Sequence, residues 1–163
     1  YVKNYLESGN LDLIKAALNI NGSGEVLLNI LEARRYIVPQ IAYLAAQKRT
    51  TSDLEELKKA VFESDLRIME KDIRVHQLLA RSTHNLLCTI GLNFFNQIFR
   101  DYGHLYFDDE KNAERSAEFH RDIYKAVKEQ KPENAYQIMR DIMIYAEEAV
   151  KASLDKDKKR VRR

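Results

Sequence analysis

Residues 72–85, DIRVHQLLARSTHN, place apolar side chains at the three- and four-residue spacing of one helix face. Asp72 and His76 stand one helical turn apart on that face, together with Met69 and Leu79. An acid and an imidazole that face the core of a protein need partners, because burying an unpaired polar group is costly. From these residues alone two explanations stay open: the pair holds a metal ion, or the two side chains form a buried ion pair.

The same 3.6-residue period recurs along the rest of the chain, and strand signals are nearly absent. Only 5 glycines and 2 prolines occur in 163 residues, which suits helices because both residues disrupt helix interiors. A long helix is predicted over about 24–48 with Pro39 inside it, and a last helix begins near Pro132. The sequence predicts an all-α fold, an antiparallel bundle of six or seven helices.

Several short segments are predicted to begin or interrupt these helices. Ser52 and Glu55 have the spacing of a capping box, and Asn85 is a suitable N-cap for the helix that follows it. The stretch HLYFDD, residues 104–109, is predicted to be a loop, and the helix that contains Asp72 is predicted to begin near Ser64.

The composition, 45% hydrophobic and 32% charged, is that of an ordinary globular protein of one domain. No run approaches the roughly 20 apolar residues of a membrane span, so no membrane association is predicted. The single cysteine, Cys88, excludes an internal disulfide and indicates a reducing, cytoplasmic environment.

The formal net charge of +2 is unevenly distributed. Residues 156–163, KDKKRVRR, carry six basic groups and one acid, a net charge of +5 that leaves −3 for the rest of the chain. An acidic body is a poor surface for nucleic acid, and the basic end is expected to be a solvated terminus. This chain by itself is therefore not expected to bind DNA specifically.

Two further polar residues lie on apolar helix faces. His120 shares its face with Ala117 and Tyr124, and Arg34 shares a stripe with Leu31 and Val38. A buried arginine needs an anion, which is either an acid from another helix or the carboxylate of a bound effector. A second inward histidine strengthens the metal hypothesis, since imidazole and carboxylate suit Zn²⁺ or a similar divalent ion.

Three ordered motifs resemble one known family. They are LEARRYIVPQIAYLAA, with Glu32, Arg34, Leu44, Ala45 and Ala46; DIRVHQLLARSTHN, with Asp72, His76 and Asn85; and FHRDIYKAVKEQKPENAYQIM, with His120, Ala126, Ala135 and Met139. Over about residues 25–150 the chain resembles the FCD domain, the C-terminal effector-binding domain of FadR-like GntR-family transcription regulators.

The resemblance implies a ligand-sensing and dimerisation domain, not an enzyme. Residues 1–20 would be a linker and short helix after a winged DNA-binding domain absent from this sequence, 21–155 the effector-binding domain and 156–163 a basic tail. The expected partners are a small-molecule effector, an organic acid or acyl ligand, and a second copy of the chain. DNA would be bound only through the absent domain.

The resemblance also implies a metal site at Asp72, His76 and His120, with effector binding at Arg34. Metal-binding members have another histidine on the last helix, where this chain has Ile142. Water or effector oxygens would complete the shell of a divalent ion, Zn²⁺ or similar. The main alternative is a metal-free sensor of acyl-CoA. A metal-dependent hydrolase, for which no H-E-x-x-H signature is present, and a purely structural dimerisation domain are the other hypotheses.

Overall fold

A computed structural model describes residues 11–18 and 23–161, and within those ranges the chain forms eight α-helices and no strand. The all-α prediction is confirmed, although the described residues form eight helices where the sequence predicted six or seven. The helices are α1 (Leu11–Leu18), α2 (Ser23–Lys48), α3 (Thr51–Phe62), α4 (Ile68–Ser82), α5 (Leu86–Tyr102), α6 (His104–Phe107), α7 (Glu110–Lys128) and α8 (Pro132–Val161).

Helix α2 lies at the centre of the bundle, packed mainly against α8 and also against α1, α4, α5 and α7. The apolar stripe predicted from its sequence is buried, and three alanines on it, Ala42, Ala45 and Ala46, are fully inaccessible. Small side chains allow close packing, and α8 contributes the facing residues Ala135, Met139, Ile142, Ala146 and Val150. The α2–α8 pair therefore forms the frame on which the other helices are placed.

Helices α4 and α5 form an antiparallel pair joined by a short turn over residues 83–85. In that turn His84 has a positive φ of 52°, and the side chain of Asn85 accepts a hydrogen bond from the backbone N–H of Leu87. The predicted N-cap at Asn85 is thus confirmed. At the opposite end, a Cβ on Gly103 would come within 2.9 Å of the Met69 sulfur and 2.5 Å of the Phe99 carbonyl oxygen. The close approach of Gly103 to Met69 fixes the register of α4 against α5.

The predicted loop over 104–109 was wrong, because its first four residues form the single turn α6. The backbone N–H of Asp108 donates to the carbonyl of His104, and Tyr106 on this turn is buried with 2% of its surface exposed. The alternation of apolar and polar residues in HLYFDD gave no periodicity long enough to indicate a single helical turn.

Two predicted helix starts were also wrong. The capping box of α3 is formed by Thr50 and Asp53, two residues before the predicted pair: the Asp53 backbone N–H donates to Thr50 Oγ1, and the Thr50 backbone N–H donates to Asp53 Oδ2. Thr50 is equally able to cap, so residue type alone could not choose between the positions. Helix α4 begins at Ile68, not near Ser64.

Parts of the predicted domain boundaries lie outside the described residues. These are 1–10 and 19–22 near the predicted linker and 162–163 in the predicted basic tail; the backbone of α8 continues into that tail as far as Val161. In the ranges that are described, no helix is both long enough and apolar enough to cross a membrane.

Candidate effector site

Arg34 is buried in the middle of α2, with 4% of its surface exposed. Its guanidinium carbon lies 4.8 Å from the ring centroid of Phe99 on α5, a cation–π contact. Its NH2 group lies 3.4 Å from Nε2 of His76, and because a guanidinium can only donate, this weak hydrogen bond runs from Arg34 to the imidazole. Burial lowers the pKa of Arg34, although the charge of Asp72 acts in the opposite direction.

The structure brings Asp72 and His76 on α4 together with His120 on α7. Nε2 of His120 donates to Oδ1 of Asp72 at 2.9 Å, and Nε2 of His76 lies 3.6 Å from Oδ2. All three side chains are at least 94% buried. With Arg34 they form what we call the imidazole cluster: Arg34, Asp72, His76 and His120.

Within the imidazole cluster, burial and nearby charges keep His76 neutral and Asp72 charged. Burial lowers the pKa of His76 to about 3, more strongly than the nearby Asp72 raises it, so His76 is uncharged near neutral pH. Burial alone would raise the pKa of Asp72, but the two imidazoles and Arg34 together hold that pKa below its usual value. The carboxylate therefore stays charged in the core and partly balances the charge of Arg34.

The donor types of the imidazole cluster suit a divalent metal, but their arrangement is a line. Each oxygen of Asp72 faces a different imidazole, and Arg34 occupies the far side of His76. Among the described residues, no three His, Cys, Asp or Glu side chains surround a common point as a bound ion requires. Ile142, at the position of the additional histidine in metal-binding members, is buried and offers no donor atom. The metal prediction stays a prediction.

A second set of buried polar residues, not identified from the sequence, lies beside the first. Asn112 donates from Nδ2 to the backbone carbonyl of Tyr106 and accepts at Oδ1 from the hydroxyl of Tyr145, both at 2.8 Å. Ser116 Oγ lies 3.4 Å from the Tyr106 hydroxyl, and burial raises the pKa of Tyr106 to about 12. We call these four residues the tyrosine cluster. Ser116 stands one turn before His120, and that spacing was the signal available in the sequence.

A narrow pocket adjoins Arg34 between α2 and α5. Its volume is about 20 Å³, enough for about one water molecule. Apart from Arg34 the lining is almost entirely apolar: Leu27, Ile30, Leu31, Phe95, Ile98, Phe99, Tyr102 and Val150. Any larger ligand that reaches Arg34 by this route must move α5 relative to α2.

The all-α bundle and the buried Arg/Asp/His cluster agree with the FCD resemblance, and comparison with known families gives the same result. The chain belongs to the FCD domain family, whose model matches residues 29–144. The resemblance drawn from the three motifs is thus confirmed: the chain is an FCD domain, an effector-binding regulatory domain of the kind that GntR-family transcription regulators contain.

Two known proteins are similar to the chain over most of its length. It is 25% identical over 141 residues to the galactonate operon transcriptional repressor of Escherichia coli strain K12, covering 82% of this chain and 60% of the repressor. It is also similar in fold to GntR of Streptococcus agalactiae, with a TM-score of 0.66 and 23% identity over 80% of this chain and 62% of that one. The chain thus spans about three fifths of the length of each.

Proposed function

We propose that this domain senses a small organic acid, whose carboxylate binds the guanidinium of Arg34. One observation carries the proposal: Arg34 is buried, yet in the part of the chain that the structure describes no carboxylate lies within 4.0 Å of it and its Nε has no hydrogen-bond partner. A buried guanidinium with a free N–H offers the geometry that carboxylates fit with two parallel hydrogen bonds.

The small pocket beside Arg34 implies that ligand binding is coupled to a movement of α5, and this movement is the proposed regulatory step. An organic acid of several carbon atoms does not fit into about 20 Å³, so binding must separate α5 from α2. The ligand shifts the domain towards the opened arrangement by its higher affinity for that arrangement. We propose that the domain works in the cytoplasm as a homodimer, in which this movement changes the spacing of two attached winged-helix domains and so their fit to paired DNA half-sites.

The named relative is consistent with this class of ligand. The Escherichia coli protein is a repressor of a galactonate operon, and galactonate is a carboxylic acid.

A ligand-dependent melt tests the proposal. The wild type and Arg34→Lys are screened against metabolic carboxylic acids and acyl-CoAs, with Arg121→Lys as the control because Arg121 is exposed on α7. A ligand at about a hundredfold excess over its Kd should stabilise the wild type by about 2.7 kcal/mol. Lysine cannot form the two-pronged contact, so Arg34→Lys should lose most of the shift while Arg121→Lys keeps it. Equal shifts in all three proteins would refute the role of Arg34, and a response to acyl-CoAs alone would favour the metal-free acyl sensor.

We further propose that Asp72, His76 and His120 are the residues that would hold a divalent ion, Zn²⁺ or similar. Such an ion, when bound, supplies a positive charge to which effector oxygens can coordinate. Binding must replace the hydrogen bond between His120 and Asp72. These donors support the proposal by their type, and the Nε2 atoms of both histidines are turned towards the carboxylate.

Elemental analysis and zinc titration test the metal proposal separately. We expect about one ion per chain in the wild type and in His104→Ala, whose histidine is exposed on α6, and none in His76→Ala. Bound metal should also raise the melting temperature, since it stabilises only the folded state. A wild type that contains no metal and takes up no zinc would contradict the proposal and leave Arg34 as the effector residue.

A further inference from the structure

Asn96 is a buried amide that the imidazole cluster does not include. It lies on α5 with 4% of its surface exposed, between the core residues Phe95 and Phe99 of the same helix. Its Nδ2 is fully buried and has no hydrogen-bond partner among the residues that the structure describes. A buried amide donor without a partner is costly, so its presence requires an explanation.

The register of the α4–α5 pair places Asn96 at the level of the imidazole cluster. Met69 touches Gly103, and seven residues along each helix from this contact lead to His76 on α4 and Asn96 on α5. The two helices are antiparallel, so His76 and Asn96 are expected at about the same height. Asn96 lies on the side of α5 that faces α4, next to the pocket beside Arg34 and not among its lining residues. Phe99, nearly one turn from Asn96 on α5, lies under the guanidinium of Arg34.

We propose that Asn96 is a second ligand-binding residue of the effector site. In this proposal, which rests on the proposed function, Arg34 binds the carboxylate and the Asn96 amide donates to another oxygen of the same acid. Two buried donors, Nε of Arg34 and Nδ2 of Asn96, are unpaired within the described part of the chain, and one oxygen-rich ligand satisfies both. Among monocarboxylic acids the ligand class is thereby narrowed to hydroxy or keto acids, since an unsubstituted monocarboxylic acid has no further oxygen for the Asn96 donor.

Asn112 is a second buried asparagine with which the hydrogen bonding of Asn96 can be compared. It is a buried asparagine too, but both ends of its amide are hydrogen-bonded at 2.8 Å, to Tyr106 and to Tyr145. An asparagine retained for stability should resemble Asn112, whereas one retained for a ligand should have a donor left over, as Asn96 has.

The first test compares leucine substitutions in the ligand-free domain. Asn96→Leu should raise the melting temperature by a few degrees, because it replaces an unpaired buried amide with an apolar group of similar size. Asn112→Leu should lower it, since two hydrogen-bond partners are left unsatisfied. If Asn96→Leu lowers the melting temperature as Asn112→Leu does, Asn96 has a structural role and the inference is overturned.

The second test measures affinities by calorimetry for two pairs of monocarboxylic acids, each a 2-hydroxy acid with its unsubstituted counterpart: glycolate and acetate, lactate and propionate. The wild type should bind the hydroxy member of at least one pair about tenfold more tightly, the effect of one hydrogen bond. Asn96→Leu should abolish this preference, while Asn93→Leu, at an exposed asparagine of the same helix, should keep it. Asn96→Ala replaces Asn96→Leu if the latter does not fold.

The outcomes separate the two proposals. A hydroxy-acid preference that survives in Asn96→Leu overturns the role of Asn96 and leaves Arg34 as the carboxylate site. Arg34→Lys binding every acid as tightly as the wild type overturns the proposed function, and the role of Asn96 with it. Absence of binding of all four acids to the wild type has the same consequence for both.

Discussion

The two buried polar clusters lie side by side but differ in how completely their atoms are paired. In the tyrosine cluster every buried polar side-chain atom has a hydrogen-bond partner within the described residues. Asn112 uses both ends of its amide, and the Tyr145 hydroxyl donates to its Oδ1. In the imidazole cluster, Nε of Arg34 and Nδ1 of both His76 and His120 are buried without one.

This difference indicates different purposes. Paired buried polar groups fix a single packing arrangement, whereas unpaired ones lower stability and are retained where a ligand completes them. The imidazole cluster also holds its opposite charges apart, because Arg34 has no carboxylate within 4.0 Å among the residues that the structure describes, and Asp72 balances its charge only at longer range. We therefore expect substitutions in the two clusters to differ in size, in pH dependence and in their response to ligand.

The largest effect should follow the removal of Asp72. In Asp72→Leu the guanidinium of Arg34 is left buried without its nearest compensating charge, and we expect a loss of about 3–5 kcal/mol in the free energy of unfolding. The double variant Arg34→Met/Asp72→Leu should recover most of it, because both charges are gone. Urea unfolding at pH 7 measures these values, with Asp122→Leu as an exposed control. A double variant no more stable than Asp72→Leu would show that the two residues are not coupled.

The second-largest difference between the clusters should be in the pH dependence of the free energy of unfolding. His76 has a folded-state pKa of about 3 against 6.5 for the free side chain, so between these values the unfolded chain binds one proton more. The contribution of His76 to the free energy of unfolding is therefore fully present above about pH 6.5. It falls by about 1.4 kcal/mol per pH unit as the pH drops towards 3. Unfolding in EDTA at pH 6.5 and 5.0 should show this slope in the wild type and in Tyr145→Phe.

Replacing the imidazole supplies the control for that slope. His76→Leu should lose about 1.4 kcal/mol per pH unit of the dependence between pH 6.5 and 5.0, while His104→Gln, at an exposed histidine on α6, should keep it. An unchanged slope in His76→Leu would mean that His76 is charged in the folded state.

In the tyrosine cluster the expected change is smaller and independent of ligand. Tyr145→Phe leaves Oδ1 of Asn112 without its donor and should cost about 1–2 kcal/mol. Tyr124→Phe, at a half-buried tyrosine on α7, is the matched control and should stay within about 0.5 kcal/mol. A ligand-induced shift that Tyr145→Phe abolishes would make this cluster part of the effector site and remove the distinction between the two.

The smallest effect should be that of Ser116→Ala, at the residue of the tyrosine cluster that stands one helical turn before His120. Its Oγ is 3.4 Å from the Tyr106 hydroxyl, longer than a strong hydrogen bond between hydroxyls, so we expect a loss of about 0.5 kcal/mol or less. Thermal unfolding with and without an active organic acid checks this. A normal stability with a lost ligand response would extend the effector site to Ser116.

The sequence by itself determined the helices and the inward direction of the imidazole cluster. Periodicity is local, so the stripe through Arg34, the one-turn spacing of Asp72 and His76 and the apolar face of His120 could all be predicted from the order of residues alone. The three family motifs then gave the class of domain, which the family match over residues 29–144 confirmed. Helix starts were less certain, because several adjacent residues were able to cap.

Only the tertiary structure decided which of these groups are paired. Asp72 meets His120, Arg34 meets His76 and Asn112 meets Tyr145 across separations of 33 to 48 positions in the chain, while Nδ2 of Asn96 meets no partner among the described residues. Helical periodicity gives the direction of a side chain and not the identity of the atoms it contacts. Asn96 and Asn112 have the same side chain on buried helix faces, and only the packing of α4 against α5 and of α7 against α6 and α8 makes one unpaired and the other fully bonded.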